Sequence, residues 1–172
     1  MAAHIGTPLQ FATESGTALS SYSVPFTGGV AAGRLLVCSI ARSYTFGDEI
    51  PLTGISDDAG NTWRYVGRRS TGTGVSATVI GYVAVCYVTN PISQGDELHV
   101  TFQATQARCA IVVEAFDATP ANPANPVEVS AAAHVTSAQS TVAAAEVSLT
   151  PPALVVCCIA GGGRTNELAT VG

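Results

Sequence analysis

Residues 97–103 read ELHVTFQ and give the clearest indication of the fold. Apolar side chains occupy every second position, at Leu98, Val100 and Phe102, and polar side chains occupy the positions between them. Successive side chains of a β-strand point to opposite faces, so this period of two separates the apolar from the polar residues. The stretch therefore predicts a strand with one face in a core and the other in water.

A second run, SATVIGYVAVCY at 76–87, is largely apolar on both faces. It predicts a central strand whose second face is covered by another sheet, a loop or a subunit. Further strands are expected at 35–40, 109–116 and 153–160, because these stretches are rich in Val, Ile and aromatic residues.

Residues that form turns separate the expected strands. Gly, Pro, Asn and Asp cluster at 27–29, 57–61, 72–74, 90–96 and 120–126. Short strands with turns at this spacing predict an antiparallel sandwich. No long stretch has a convincing helical period.

The segment 137–149 contains good helix formers, but its β-branched residues and the two prolines that follow favour a strand. We therefore expect one all-β domain over 1–172, an antiparallel β-sandwich of the jelly-roll-like kind, with a Pro/Asn-rich loop near 119–127. A further strand would be expected at 164–172, where the chain ends, so either an open sheet edge or missing C-terminal strands are also expected.

The composition favours assembly over charge-driven binding. Charged residues make up 11% of the chain, against about 25% in ordinary soluble domains. The net charge is −5 and the only adjacent basic pair is Arg68–Arg69, so nucleic-acid binding through several phosphate contacts is not expected. No stretch approaches 18 consecutive apolar residues, so no membrane-spanning helix is expected.

The five cysteines lie in apolar runs without the C-x-x-C spacing. We interpret them as small buried residues that stay reduced. A zinc site is the alternative, but the adjacent Cys157 and Cys158 would point to opposite faces of a strand. No cofactor is expected.

The motif DDAGNTW at 57–63 has two interpretations. Asp57, Asp58 and Asn61 could supply oxygen ligands to calcium, but a calcium loop needs ligands at alternate positions and a distant bidentate Glu. The same residue types suit a tight turn, because they tolerate positive φ and bond to nearby backbone. We favour the turn and keep the ion as the alternative.

Trp63 and Tyr65 follow this turn and, two residues apart, share a face of the next strand. They are either core anchors or a platform on which a sugar ring stacks. The core is the favoured interpretation.

No catalytic residue is assigned. His4, His99 and His134 are the only histidines, and no G-x-S-x-G nucleophile motif is present. The sequence GTGVSA at 72–77 fits G-x-G-x-x-A, but a strand-like run follows it where a dinucleotide site needs a helix. We therefore expect a protein that is not an enzyme.

Four segments in order resemble a known family: GGVAAGRLLVCSIAR at 28–42, ISDDAGNTWRYVG at 55–67, VAVCYVTNPISQGDELHVTF at 83–102 and CAIVVEAFDA at 109–118. Together they resemble the β-sandwich domain of tailed-bacteriophage structural proteins, which also occurs in some bacterial surface proteins. The resemblance covers about 25–118. One departure is Phe116, where that family commonly has Tyr.

The resemblance implies a non-enzymatic virion protein, in the tail or decorating the capsid surface, that assembles in the host cytoplasm. Its expected partners are other virion proteins and copies of itself. The alternative is a carbohydrate-binding module that adheres to host glycans. Exposed aromatics such as Trp63, Tyr65, Tyr44 or Tyr87 would then stack on sugars, with an ion at Asp57 as an added feature.

Overall fold

The computed structural model describes residues 3–4, 9–13, 19–44, 52–70, 78–106, 109–117, 119–120 and 122–127. Several sequence predictions lie outside these residues: the strand at 153–160, the segment 137–149, the motif at 72–77, the chain end at 164–172, and His134, Cys157 and Cys158.

The described residues form β-strands joined by turns and loops. The strands are β1 (Ala3–His4), β2 (Leu9–Thr13), β3 (Leu19–Pro25), β4 (Leu35–Tyr44), β5 (Leu52–Asp57), β6 (Trp63–Ser70), β7 (Thr78–Tyr87), β8 (Glu97–Gln106) and β9 (Cys109–Asp117).

These strands make two antiparallel sheets. In sheet A the order is β1-β9-β4-β7-β6, with β2 also pairing with β9, and in sheet B it is β3-β8-β5. From β3 to β9 the chain changes sheet at every connection except the one between β6 and β7. The inner faces of the two sheets share one hydrophobic core, so the prediction of an all-β antiparallel sandwich is confirmed.

Strand β8 has the two faces that ELHVTFQ predicts. Leu98, Val100 and Phe102 are buried in the core, while His99 and Thr101 are partly exposed on the outer face of sheet B. Strand β7 lies between β4 and β6, which confirms the prediction of a central strand.

The sequence predictions of strands omitted β1, β2, β3 and β5. In β3 the core residues Tyr22 and Val24 alternate with serines, which give little hydrophobic signal. Strand β5 contains Gly54 and has a register irregularity opposite β8, and both features weaken the alternation.

Two loops close the end of the sandwich at which β4 begins and β7 ends. They pair through an isolated bridge between Val30 and Ile92 and through a bond from the N–H of Phe26 to the carbonyl of Asp96. Gly29 has a φ of 64°, and a Cβ there would lie 2.8 Å from the carbonyl oxygen of Ile92. The close approach of the loops therefore requires glycine at this position.

The described cysteines, Cys38, Cys86 and Cys109, are free thiols in the core. Burial raises the pKa of Cys86 to about 12, with the charge of Asp57 adding to the shift. Burial likewise raises the pKa of Cys109 to about 12. For these three cysteines, the prediction of buried residues is confirmed.

Candidate functional site

The motif DDAGNTW forms a hydrogen-bonded turn at the loop-closed end of the sandwich. Asp57 ends β5 with only 5% of its surface exposed, and Trp63 begins β6 in the other sheet. One carboxylate oxygen of Asp57, Oδ1, accepts bonds from the N–H of Asn61 at 3.0 Å and from Asn61 Nδ2 at 3.3 Å. The other, Oδ2, accepts a bond from Trp63 Nε1 at 2.7 Å. We call these residues, with Thr89 and Asn90, the Asp57 clasp.

Asn61 extends the clasp to the loop after β7. Its Oδ1 accepts bonds from the N–H groups of Thr89 at 2.9 Å and Asn90 at 2.8 Å, and its Nδ2 donates to the carbonyl of Asn90 at 2.9 Å. The Asn90 amide donates in return to the carbonyl of Ala59. One buried side chain thus joins two loops 28 residues apart in the sequence.

The backbone of the turn brings these groups together. The N–H of Gly60 donates to the carbonyl of Asp57 at 3.1 Å, and Gly60 has a φ of 74°. A side chain is disfavoured at that angle, whereas glycine adopts it readily. The structure therefore places a turn where the sequence predicts one.

The clasp uses two of the three side chains that the sequence proposes as calcium ligands, Asp57 and Asn61. Both oxygens of Asp57 accept N–H bonds, so an ion there would have to displace those donors. A calcium ion takes six to eight oxygen ligands. Among the described residues, no group of three or more His, Cys, Asp or Glu side chains is placed to hold a metal ion.

Asp58 points away from Asp57 and joins a separate row of side chains on the outer face of sheet B. Its Oδ1 lies 2.8 Å from His99 Nε2, and its Oδ2 accepts the N–H of Glu97 at 2.8 Å. The other ring nitrogen of His99 lies 3.1 Å from Ser23 Oγ. The bond from His99, followed by that from the Glu97 backbone, lowers the pKa of Asp58.

Trp63 and Tyr65 have different environments, although both are in β6. Trp63 is partly buried against the core and tied to Asp57, whereas Tyr65 is 48% exposed. The ring of Tyr65 leans on that of Tyr82, with the centroids 6.4 Å apart and the planes at 49°. The two candidate aromatics are thus one internal anchor and one surface ring.

Tyr65 borders a cleft at the end of the strand order of sheet A. Arg64, Tyr65 and Val66 of β6 line one side, and Asn125 and Val127 of the Pro/Asn-rich loop line the other. The cleft has a volume of about 310 Å³. The described part of that loop contains a turn at 122–125, which agrees with the loop predicted near 119–127. We call this feature the Tyr65 cleft.

Sequence reasoning missed the buried residue Arg42, which lies near the opposite end of the core and is 2% exposed. Its guanidinium carbon lies 4.3 Å from the ring centroid of Phe102, and it hydrogen-bonds to Tyr82. Tyr22 and Cys109 are close enough to affect its charge, and burial lowers the pKa of Arg42. We call these five residues the Arg42 cluster.

A signal for Arg42 was present in the sequence. In LLVCSIAR at 35–42, alternation puts Arg42 on the same face as Leu36, Cys38 and Ile40, all of which are core residues.

The other aromatic candidates and His4 lie in strands. Tyr87 is partly buried at the end of β7, and for Tyr44 and His4 the structure gives strand position alone. None of the described residues belongs to a helix long and apolar enough to cross a membrane.

Comparison of the chain with protein-family models, curated proteins and solved structures finds no match.

Proposed function

We propose that this protein is a non-enzymatic structural component of a tailed-phage virion, in the tail or on the capsid surface, that acts by binding copies of itself and other virion proteins. The observation that carries the proposal is the internal use of Asp57, Asn61 and Trp63. These residues belong to the motif on which the phage resemblance depends, and they bond to one another and to neighbouring loops. The motif therefore stabilises the fold, and we assign the binding of partners to the exposed surfaces of the sandwich.

The composition supports a role in assembly. With 11% charged residues and a net charge of −5, the chain has little charge with which to keep copies apart. The loops at the clasp end are held by backbone bonds, such as those between Val30 and Ile92. A rigid and weakly charged surface loses little entropy when it is buried against a partner.

The non-enzymatic part of the proposal has to account for Ser23, His99 and Asp58. Their bonds follow the order of a nucleophilic triad, with distances of 3.1 Å and 2.8 Å. Ser23 and His99 lie directly opposite each other on adjacent strands at an outer sheet face, however, and Asp58 lies in the turn that follows β5. Acyl transfer also needs donors aimed at an oxyanion and a bound substrate. We interpret the row as a polar link across sheet B.

The first test is the solution mass of the purified chain, measured by light scattering over a range of concentrations. We expect a defined oligomer of constant mass, because assembly is the proposed activity. A monomer at all concentrations would contradict self-assembly. Immunogold labelling of tailed particles from the strain that encodes the chain would then test the virion location, and unlabelled particles would contradict it.

The second test uses a fluorophosphonate probe that labels activated serines. We expect no labelling of the native chain. Labelling at Ser23 that disappears in His99→Gln but persists in the matched control Ser56→Ala would contradict the non-enzymatic role.

A further inference from the structure

The Tyr65 cleft combines three side chains with different binding properties. Tyr65 offers the face of an aromatic ring, Arg64 a planar cation, and Asn125 an amide that both donates and accepts hydrogen bonds. Val66 and Val127 add apolar contact. The exposed lining of the cleft is more polar than apolar, which suits a hydrophilic ligand held by hydrogen bonds as well as by stacking.

The ring of Tyr65 packs against the buried ring of Tyr82. Tyr82 has 1% of its surface exposed, and it contacts both Tyr65 and Phe102, whose centroid is 5.9 Å away. Tyr65 is therefore the exposed end of a row of rings that begins in the core. A ring fixed in this way loses little freedom when a ligand stacks on it.

The loop that carries Asn125 is also ordered locally. The N–H of Asn125 donates to the carbonyl of Asn122 at 2.9 Å, and the N–H of Ala124 donates to Asn122 Oδ1 at 3.1 Å. These bonds form a turn that fixes the backbone on which the Asn125 amide is carried. Both sides of the cleft are therefore preformed.

The charge in the cleft indicates the kind of ligand. Arg64 is the one charged residue among those that line it, and no carboxylate in the described part of the chain forms an ion pair with Arg64. By contrast, Arg34 is paired with Asp117 at 2.7 Å. A guanidinium suits a carboxylate, which it can bind through two parallel bonds.

We propose that the Tyr65 cleft binds a sugar unit that carries a carboxylate, such as a hexuronic acid. The C–H face of the sugar ring stacks on Tyr65, the carboxylate meets Arg64, and ring hydroxyls bond to the amide of Asn125. The volume of about 310 Å³ is at the lower end of the range for small-molecule sites, about 300–1,000 Å³, and suits one or two sugar units. This proposal does not depend on the proposed virion role.

A sugar fits the cleft better than a peptide does. The edge of β6, the last strand in the order of sheet A, can also pair with a peptide strand. The aromatic face of Tyr65 and the polar side chains of Arg64 and Asn125 match the ring faces and hydroxyls of a sugar. The net charge of −5 opposes the approach of an anion. At physiological salt that repulsion is screened beyond about 8 Å, so contacts inside the cleft decide the affinity.

The test is an NMR titration of the ¹⁵N-labelled chain with three probes. The first is trigalacturonic acid. The second is its methyl ester, which keeps the sugar rings and removes the charge. The third is triglutamate, a peptide that carries several carboxylates but has no sugar rings.

With trigalacturonic acid we expect shift changes confined to the amides of 62–67 and 122–127. Binding of the methyl ester and of triglutamate should each be weaker by about tenfold, because each lacks either the contact with Arg64 or the stacking on Tyr65. No change at these amides, or equal affinity for trigalacturonic acid and its ester, would overturn the proposal. Tighter binding of triglutamate would assign the cleft to a peptide and would also overturn it.

Substitutions test whether Tyr65 and Arg64 bind the ligand. Tyr65→Ala and Arg64→Gln should each weaken binding of trigalacturonic acid by about tenfold, while Tyr65→Phe should retain it. Arg34→Gln is the matched control, since it removes the same charge away from the cleft and should bind as the native chain does. Unchanged spectra elsewhere in each variant would show that it is folded. Native affinity in Tyr65→Ala would overturn the proposal.

Discussion

Among the described residues, two side chains that are charged at neutral pH are buried, one toward each end of the sandwich, and they are accommodated in different ways. At the loop-closed end, Asp57 accepts three N–H bonds from Asn61 and Trp63. Toward the other end, Arg42 lies over the ring of Phe102 and bonds to the Tyr82 hydroxyl. The anion is surrounded by hydrogen-bond donors, whereas the cation is surrounded largely by aromatic faces and thiol.

This difference should decide which end contributes most to stability. A buried carboxylate whose oxygens are matched by donors regains much of the solvation it loses in folding. For Arg42, burial lowers the pKa, which means that the charged form is less favourable in the folded chain than in the unfolded one. We expect the clasp to stabilise the fold strongly and the charge of Arg42 to add little.

The largest effect is expected from Asp57→Ala. Removing the carboxylate leaves the indole N–H of Trp63 and the N–H of Asn61 without acceptors, which should lower the free energy of unfolding by about 3 kcal/mol. Urea unfolding would measure the loss. Asp58→Ala, at the neighbouring exposed position, is the control and should lose much less. A loss below about 1 kcal/mol for Asp57→Ala would show that the clasp is dispensable.

A smaller effect is expected from Gly60→Ala. No atom lies within 4 Å of the added Cβ, so the cost comes only from the φ of 74° and should be about 1–2 kcal/mol. Gly28→Ala is the matched control, since its Cβ would also meet nothing within 4 Å and its φ is not positive. Equal stability of the two variants would mean that the turn geometry adds nothing to the clasp.

Arg42→Met should change the stability by less than about 1 kcal/mol in either direction, because the loss of the stacking on Phe102 is offset by removal of a desolvated charge. Thermal and urea unfolding would measure it. If this variant lost more than about 3 kcal/mol, as expected for breaking a buried charge network, the two ends would be equivalent and the contrast drawn here would be wrong.

The effect of Asp58→Asn should be the smallest and should depend on pH. Bonds from His99 and the Glu97 N–H lower the pKa of Asp58 below its ordinary value of 3.8. A carboxyl whose pKa is lower in the folded state stabilises the fold above its unfolded pKa, and the contribution is lost as the pH falls through the folded value. Native and variant chains should therefore differ at pH 7 and converge below about pH 3.8. A difference that persisted at pH 2 would contradict this origin.

The sequence predicts the local contacts around the clasp better than the long-range ones. The turn at DDAGNTW is local, so its residue types predict it directly. The bond from the Thr89 N–H to Asn61 and the bond between His99 and Asp58 join residues 28 and 41 positions apart, and only the pairing of the strands brings them together. No short motif contains that information.

The surroundings of single residues were predicted less well than the strands. Alternation in β4 puts Arg42 on the core face, but hydrophobicity alone gives an arginine no reason to be buried. Trp63 and Tyr65 share a sequence pattern and have different environments, because Trp63 bonds to Asp57 and packs against the core while the ring of Tyr65 leans on Tyr82 at the surface. These contacts depend on tertiary packing, which the local sequence does not specify.

The most direct test of the central claim, that the Asp57 motif is a scaffold and not a ligand site, is calorimetry of the native chain and Asp57→Asn, each with calcium and with a chelator. We expect the Tm of the native chain to be the same under both conditions and Asp57→Asn to be less stable by the same margin in each. A rise in the native Tm with calcium that is absent in Asp57→Asn would contradict the claim and would make Asp57 an ion ligand.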